Sequence, residues 1–148
     1  RPEMTALLVS WQFWAILSAV FAAMTAIFAK IGVSGIDSYL ATWLRTLAIA
    51  AILGAMVWAG GKLRGITDIS PRAALFLLLS ALATGASWLC YFRALSLGDA
   101  ARVAPIDKLS VVMVAIFAAL FLGEHLPPLG WAGVGLIATG AILVAVAR

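Results

Sequence analysis

Long apolar runs alternate with short polar connections along the whole chain. Each run, at 1.5 Å per helical residue, is long enough to cross the roughly 30 Å of hydrocarbon in a bilayer. The connections are too short to form a domain outside the membrane. The pattern therefore predicts five transmembrane helices, over residues 11–31, 38–60, 71–97, 102–123 and 127–147.

Turn and cap signals set the ends of these runs. The first ends at the stretch GVSG, and Asp37 is a typical N-cap for the second, which ends at Gly60–Gly61. Pro71 lies near the start of the third run, and Pro127–Pro128 begin the fifth, since proline is tolerated in a first helical turn. These signals predict helices joined by turns.

Composition supports the same class of protein. Of the 148 residues 65% are hydrophobic and 11% are charged, whereas soluble domains contain about 25% charged residues. We therefore expect an all-α, multi-pass protein of the cell membrane, in a bacterium the inner membrane, with residues 1–148 forming a single domain. The net charge of +4 comes from basic residues scattered over helix ends, which indicates contacts with the bilayer and not with nucleic acid. We expect no cleavable signal ahead of the first span.

Basic residues give only a weak indication of orientation. An odd number of spans puts the termini on opposite sides, here side A for the N-terminus and side B for the C-terminus. Two alternatives stay open under the positive-inside rule: a cytoplasmic N-terminus, or insertion in both orientations. The basic residues are four on side A and three on side B: Arg1, Lys62, Arg64 and Arg72 against Lys30, Arg102 and Arg148.

Four charged residues lie inside the predicted spans and away from their ends, all in the side B halves: Arg45, Arg93, Asp107 and Lys108. An ionisable residue within a membrane costs about 2.5 to 3.5 kcal/mol on insertion scales, and such residues usually pair or line a cavity. Arg45 lies roughly 12 Å into its span by helical rise. Four charges at similar depth on three helices predict one shared polar chamber.

Snorkelling to the headgroups is the alternative for the long side chains of Lys108, Arg93 and Arg45. Asp107 is too short to snorkel far, so we expect it to have a cationic or backbone partner. Neighbouring side chains on a helix point about 100° apart. We therefore expect one of Asp107 and Lys108 to pair across helices, and the other to face a cavity or the interface. Pro105 adds a free backbone carbonyl nearby, unless it simply marks the helix start.

Aromatic residues accompany these charges on the third span. Trp88 and Tyr91 follow Thr84 and Ser87 at helical spacing, so they share a face that leads towards Arg93. Ordinary helix packing would explain the hydroxyls, but a tryptophan near mid-span needs a partner for its indole N–H. Aromatic rings beside cations suit a small, partly apolar ligand. The formal excess of two cations in the predicted chamber favours an anionic or carboxylate-bearing one.

The sequence contains no constellation typical of an enzyme. No nucleophile and base pattern, metal-binding helix motif or glycine-rich phosphate loop occurs. Cys90 and His125 each stand alone, so neither a disulfide framework nor a Cys/His metal site is predicted. We expect a protein that is not an enzyme and has neither a cofactor nor a metal.

Two stretches, YFRALSLGDAARVAPIDKLSV and FLGEHLPPLGWAGVGLIATGAILV, resemble the EamA domain of the drug/metabolite transporter superfamily. Arg45, in WLRTLAIA, resembles an arginine often found in the family's second span. The resemblance covers nearly the whole chain and identifies it as a half-length form. It implies a secondary transporter that exports or exchanges small metabolites, often amino acids or related compounds, by alternating access. Full-length relatives join two five-span halves of opposite topology, so a half-length chain implies completion by a second antiparallel protomer.

Two alternatives to this function stay open. One is an exporter of cationic drugs like the small multidrug resistance proteins, which resemble this chain but carry a glutamate in their first span. No acidic residue lies between Trp11 and Lys30 here, so any proton coupling would fall to Asp107. The other alternative is a membrane subunit that does not transport but scaffolds a partner.

The fifth span is the predicted seam of a homodimer. Helices in lipid associate through close packing of small residues, because burying leucine against leucine gains little over lipid. GLIATGAILV also resembles the dimerising last span of the small multidrug relatives. Packing within one protomer is the alternative. The small residues that share neighbouring faces of this span are Gly133, Gly135, Thr139 and Gly140.

Overall fold

The computed structural model describes residues 10–147. The described residues form helices and no strand, and five helical spans are long and apolar enough to cross a membrane. The predicted all-α, five-span fold is thus confirmed. Arg1 and Arg148, which enter the charge count, and the stretch ahead of the first span lie outside the described residues. The helices are α1 (Trp11–Gly32), α2 (Ser38–Ala59), a 3-10 helix (Lys62–Asp68), α3 (Pro71–Leu97), α4 (Ala100–Asp107), α5 (Leu109–Phe121) and α6 (Pro128–Val146).

Local signals account for the ends of α2. Asp37 is its N-cap, and its Oδ1 accepts hydrogen bonds from the backbone N–H groups of Tyr39 and Leu40, at 3.0 and 3.1 Å. These bonds satisfy two N–H groups that have no partner within the helix. Gly61, directly before the 3-10 helix, has a φ of +64°, which glycine adopts at no steric cost. The chain can therefore turn there into the 3-10 helix.

The fourth span is not continuous. The span predicted over 102–123 corresponds to Ala100–Phe121, but its helix is interrupted at Lys108, where α4 ends and α5 begins. Lys108 has a ψ of −4°, flatter than the helical value near −42°. Pro105, inside α4, removes one backbone donor and crowds the preceding turn. The two halves still cover Ala100–Phe121, enough for one crossing.

The chain divides into two compact units. In the unit from Gly32 to Leu97, α2 packs against α3 and the 3-10 helix. The other unit joins α1 to everything from Gly98 onward, and in it both α4 and α5 pack against α6. That the five spans form a single domain stays a prediction.

In the unit that contains α1 and the residues from Gly98 onward, two basic side chains bind backbone carbonyls. Lys30, near the end of α1, donates to the carbonyl of Gly98 at 2.7 Å, and Arg102 donates to that of Ala145 at 2.9 Å. Ala145 is in the last turn of α6, whose backbone carbonyls receive no hydrogen bond from the helix itself. The helix dipole also favours a cation at this end. These residues of side B therefore stabilise helix ends.

Large apolar side chains on all five spans are exposed, for example Phe28, Leu53, Leu82, Phe117 and Leu136. In water this would be unfavourable, but lipid tails solvate such side chains as well as a protein interior does. The surface of the described residues therefore fits a membrane protein.

Candidate functional site

The guanidinium of Arg45 stacks on two aromatic rings of α3. Its Cζ lies 4.5 Å from the centre of the Trp88 ring and 5.4 Å from that of Phe92. Trp88 and Phe92 are four residues apart, so they occupy one face of α3. Phe92 is buried, at 3% exposure, and Trp88 is half-buried. The two rings therefore form a fixed surface that holds the cation.

This stack lies inside the membrane-spanning part of both helices. Arg45 is about 10 Å from the start of α2, and Trp88 about 13 Å from the end of α3, at 1.5 Å per residue. The start of α2 and the end of α3 belong to the same side of the membrane, since the two spans are consecutive. The arginine and the tryptophan thus meet at matching depths, well below the headgroups.

Aromatic rings attract the charge of Arg45 but do not neutralise it. Cation–π contacts contribute about 0.5 to 2 kcal/mol, with the larger values at desolvated sites. The carboxylates of its own unit are Asp37 and Asp68, and neither forms a salt bridge with Arg45 among the described residues. A guanidinium presents a planar fork of donors suited to a carboxylate. Arg45 therefore has the capacity to bind an anionic group within the bilayer.

The other predicted site residues of α3 lie near this stack along the helix. Tyr91 is half-buried and Arg93 is exposed. The carbonyl of Arg93 accepts a hydrogen bond from Ser96 Oγ at 2.7 Å. Arg93 is near enough to the end of α3 for its long side chain to reach the headgroups, so snorkelling remains open for it.

Asp107 and Lys108 form an ion pair with each other, with 3.4 Å between Lys108 Nζ and Asp107 Oδ2. That one of them pairs across helices stays a prediction. The backbone N–H of Lys108 still donates to the carbonyl of Ala104 at 3.2 Å, and its long side chain bends back to the carboxylate of its chain neighbour. The pair is partly open, with side-chain exposures of 55% for Lys108 and 36% for Asp107.

The structure brings together some of the predicted chamber residues. Arg45 and Trp88 meet in the unit of α2 and α3, and Asp107 and Lys108 meet in the other unit. That all of them share one chamber stays a prediction. The sequence reasoning missed Phe92, although its spacing of four residues from Trp88 is a signal that points to the same face.

The small residues of α6 leave space on its surface. Apart from the chain neighbours and the nearby backbone of α6 itself, a Cβ atom built on Gly133, Gly135 or Gly140 would meet no atom of the described residues within 4 Å. Thr139 donates its hydroxyl hydrogen to the carbonyl of Gly135 at 2.8 Å, so that hydroxyl is satisfied within its own helix. Packing within this unit therefore does not require glycine at these three positions.

Comparisons with known proteins agree with the membrane architecture. Residues 9–146 match the model of the EamA-like transporter family. A relative from Sinorhizobium sp, described as "Uncharacterized transporter in cobO 3'region", is 62% identical over 137 residues, which cover 93% of this chain and 97% of the relative. No solved structure matches the chain significantly.

Proposed function

Because the chain belongs to the EamA-like transporter family and is a multi-pass membrane transporter of small molecules, we propose that it exports or exchanges carboxylate-bearing metabolites. The observation that carries the proposal is the stack of Arg45 on Trp88 and Phe92, at 4.5 and 5.4 Å. It provides a half-buried cation beside apolar surface, on two helices long and apolar enough to cross a membrane.

A small amphipathic substrate fits this arrangement. Its carboxylate would accept hydrogen bonds from the guanidinium of Arg45, and its apolar part would contact the half-buried Trp88. Small amino acids and related acids have this combination of groups. The rings hold Arg45 in place before the substrate arrives, which lowers the conformational entropy lost on binding.

Asp107 is the proposed residue for proton coupling. Its carboxylate is partly open and is paired with Lys108 at 3.4 Å, so protonation would release the lysine. A charged pair at the junction of two half-helices resembles the discontinuous spans at which transporters bind their coupling ions. The same break gives the fourth span a point at which its halves can move against each other during alternating access.

The proposed working unit is an antiparallel homodimer with its seam on α6. Transporters commonly place the substrate between two repeats of opposite topology, and five spans supply one such repeat. The relative aligns with this chain over 97% of its own length, which supports a five-span chain as a unit of this family. The space beside Gly133, Gly135 and Gly140 would let a second α6 approach closely.

Thermal unfolding of the purified protein in detergent, screened against amino acids, other small carboxylates and organic cations, tests the substrate class. Carboxylates should raise the unfolding temperature of the wild type and of Arg72→Gln, a charge-matched control at the exposed start of α3, but not that of Arg45→Gln. Stabilisation by organic cations alone would favour a drug exporter. Stabilisation by no compound, together with no uptake into proteoliposomes, would favour a scaffold subunit.

A further inference from the structure

The 3-10 helix between α2 and α3 has no place in the transport site. It covers Lys62–Asp68 and connects two helices that each cross the membrane. The segment must therefore lie at the side A surface of the bilayer. Trp58, in the last turn of α2, is 73% exposed, and tryptophan is typical of this headgroup level.

The segment has one apolar face. A 3-10 helix has three residues per turn, so side chains three positions apart lie one above the other. Leu63 and Ile66 are related in this way, and Ile69, directly after the helix, continues the spacing. Their exposures are 48%, 65% and 44%, too high for side chains that pack into the protein.

Cations occupy the other faces. Lys62 and Arg64, on either side of Leu63, are both exposed. Thr67 turns its hydroxyl back and donates to the carbonyl of Arg64 at 3.2 Å, which stabilises the turn. The start of the segment is thus basic, and its one acidic residue, Asp68, lies at the far end.

We propose that residues 62–69 form an interfacial anchor that binds anionic phospholipid. Leu63, Ile66 and Ile69 enter the boundary between headgroups and acyl chains, as the apolar face of an interfacial helix does. Lys62 and Arg64 contact the phosphates of anionic headgroups, which basic residues near a membrane surface attract. The bilayer is the occupant of this face because both flanking helices already place the segment at its surface.

The anchor also affects α2 and α3, the two helices that it connects. The 3-10 helix packs against α2, and α2 carries Arg45 while α3 carries Trp88. An anchor at the side A end therefore fixes the depth of both helices in the bilayer. This inference does not depend on the identity of the transported compound.

Spin labels test the apolar face. Single cysteines at positions 62 to 69 would be placed in a Cys90→Ser background, because Cys90 is exposed, and the labelled protein reconstituted into phosphatidylcholine and phosphatidylglycerol vesicles. Collision with oxygen, which concentrates in the acyl region, should peak at 63, 66 and 69, and collision with a water-soluble nickel complex at 62 and 64. High access of the nickel complex at 63 and 66 would overturn the proposal and would point to a soluble partner protein instead.

Lipid selectivity tests the cations. The fraction of spin-labelled phosphatidylglycerol immobilised at the protein surface, compared with spin-labelled phosphatidylcholine, should show a preference for the anionic lipid. Lys62→Gln/Arg64→Gln should lower that preference by about five-fold or more, whereas Thr67→Ala in the same segment should retain it. Equal association of the two lipids with the wild type, or no change in the double variant, would refute anionic lipid binding.

Discussion

At the scale of single residues, the notable contact is an arginine held by aromatic rings inside a membrane span. Burying a cation in a bilayer is unfavourable, so such a residue normally faces a cavity or a partner. Trp88 and Phe92 supply a partial partner for Arg45, and the proposed ligand would accept hydrogen bonds from its guanidinium. The same rings account for both the position of the cation and its proposed selectivity for carboxylates.

Replacing Trp88 by alanine should weaken substrate binding about 2- to 30-fold, the range that corresponds to one cation–π contact. The matched control is Trp58→Ala, because Trp58 lies at the exposed end of α2 and outside the stack. Isothermal titration with the carboxylate that stabilises the protein most would measure both affinities. Equal losses in the two variants would argue against a binding site at Trp88.

Replacing Asp107 by asparagine should impair transport while expression stays nearly normal. The variant loses the carboxylate proposed to carry the proton, so uptake driven by a proton gradient should fall to near that of protein-free vesicles. The loss of its partly exposed ion pair with Lys108 should cost less than about 1 kcal/mol of stability. The change of uptake with pH that the carboxylate of Asp107 causes should also be absent from the variant. Wild-type activity with an unchanged pH profile would exclude Asp107 as the coupling residue.

At the scale of elements, the five spans were predictable from hydrophobicity and from caps such as Asp37. The break at Lys108 was not predictable from hydrophobicity, because the residues before and after it together have the length of a single span. The 3-10 helix was also missed, since a polar connection with Gly61 and Ser70 at its ends looks like a loop. The contacts of Arg45 and Asp107 depend on how neighbouring elements pack or break, which a one-dimensional pattern does not specify.

Arg102 provides a test of how the helix ends are stabilised. Arg102→Gln should lower the stability of the protein by about 1 kcal/mol, because the last turn of α6 loses a hydrogen bond from a cation to the carbonyl of Ala145. Arg64→Gln, which removes an exposed charge from the 3-10 helix, should have a smaller effect. Unfolding in detergent, followed by circular dichroism, would compare the two. Equal stability of the two variants would mean that the Arg102 bond contributes nothing.

At the scale of the whole molecule, the described residues supply five spans and an α6 with open space beside Gly133, Gly135 and Gly140. Gly140→Leu should convert the purified protein from dimer to monomer, because a leucine on this face would keep a second α6 from close approach. Leu82→Ala, on α3 and 63% exposed, is the control outside the seam and should leave the dimer intact. Light scattering in detergent would give the mass of each variant.

The opposite orientation of the two protomers has a separate readout. The basic residues are four on side A and three on side B, and so small a bias permits insertion both ways. A tag at the C-terminus should therefore be labelled by impermeant reagents from both faces of the membrane. Labelling from one face only, with a dimer that survives Gly140→Leu, would defeat the antiparallel arrangement.

Counterflow in proteoliposomes tests the central claim, Arg45-dependent carboxylate transport, most directly. Vesicles holding the purified protein and an excess of unlabelled carboxylate should accumulate the radiolabelled compound from outside, and Arg72→Gln should do so nearly as well. Arg45→Gln should retain less than about a tenth of the rate, as expected when a charged hydrogen-bond donor to the substrate is lost, and Arg45→Lys should recover part of it. Uptake no higher than in protein-free vesicles, or equal uptake by the wild type and Arg45→Gln, would contradict the account.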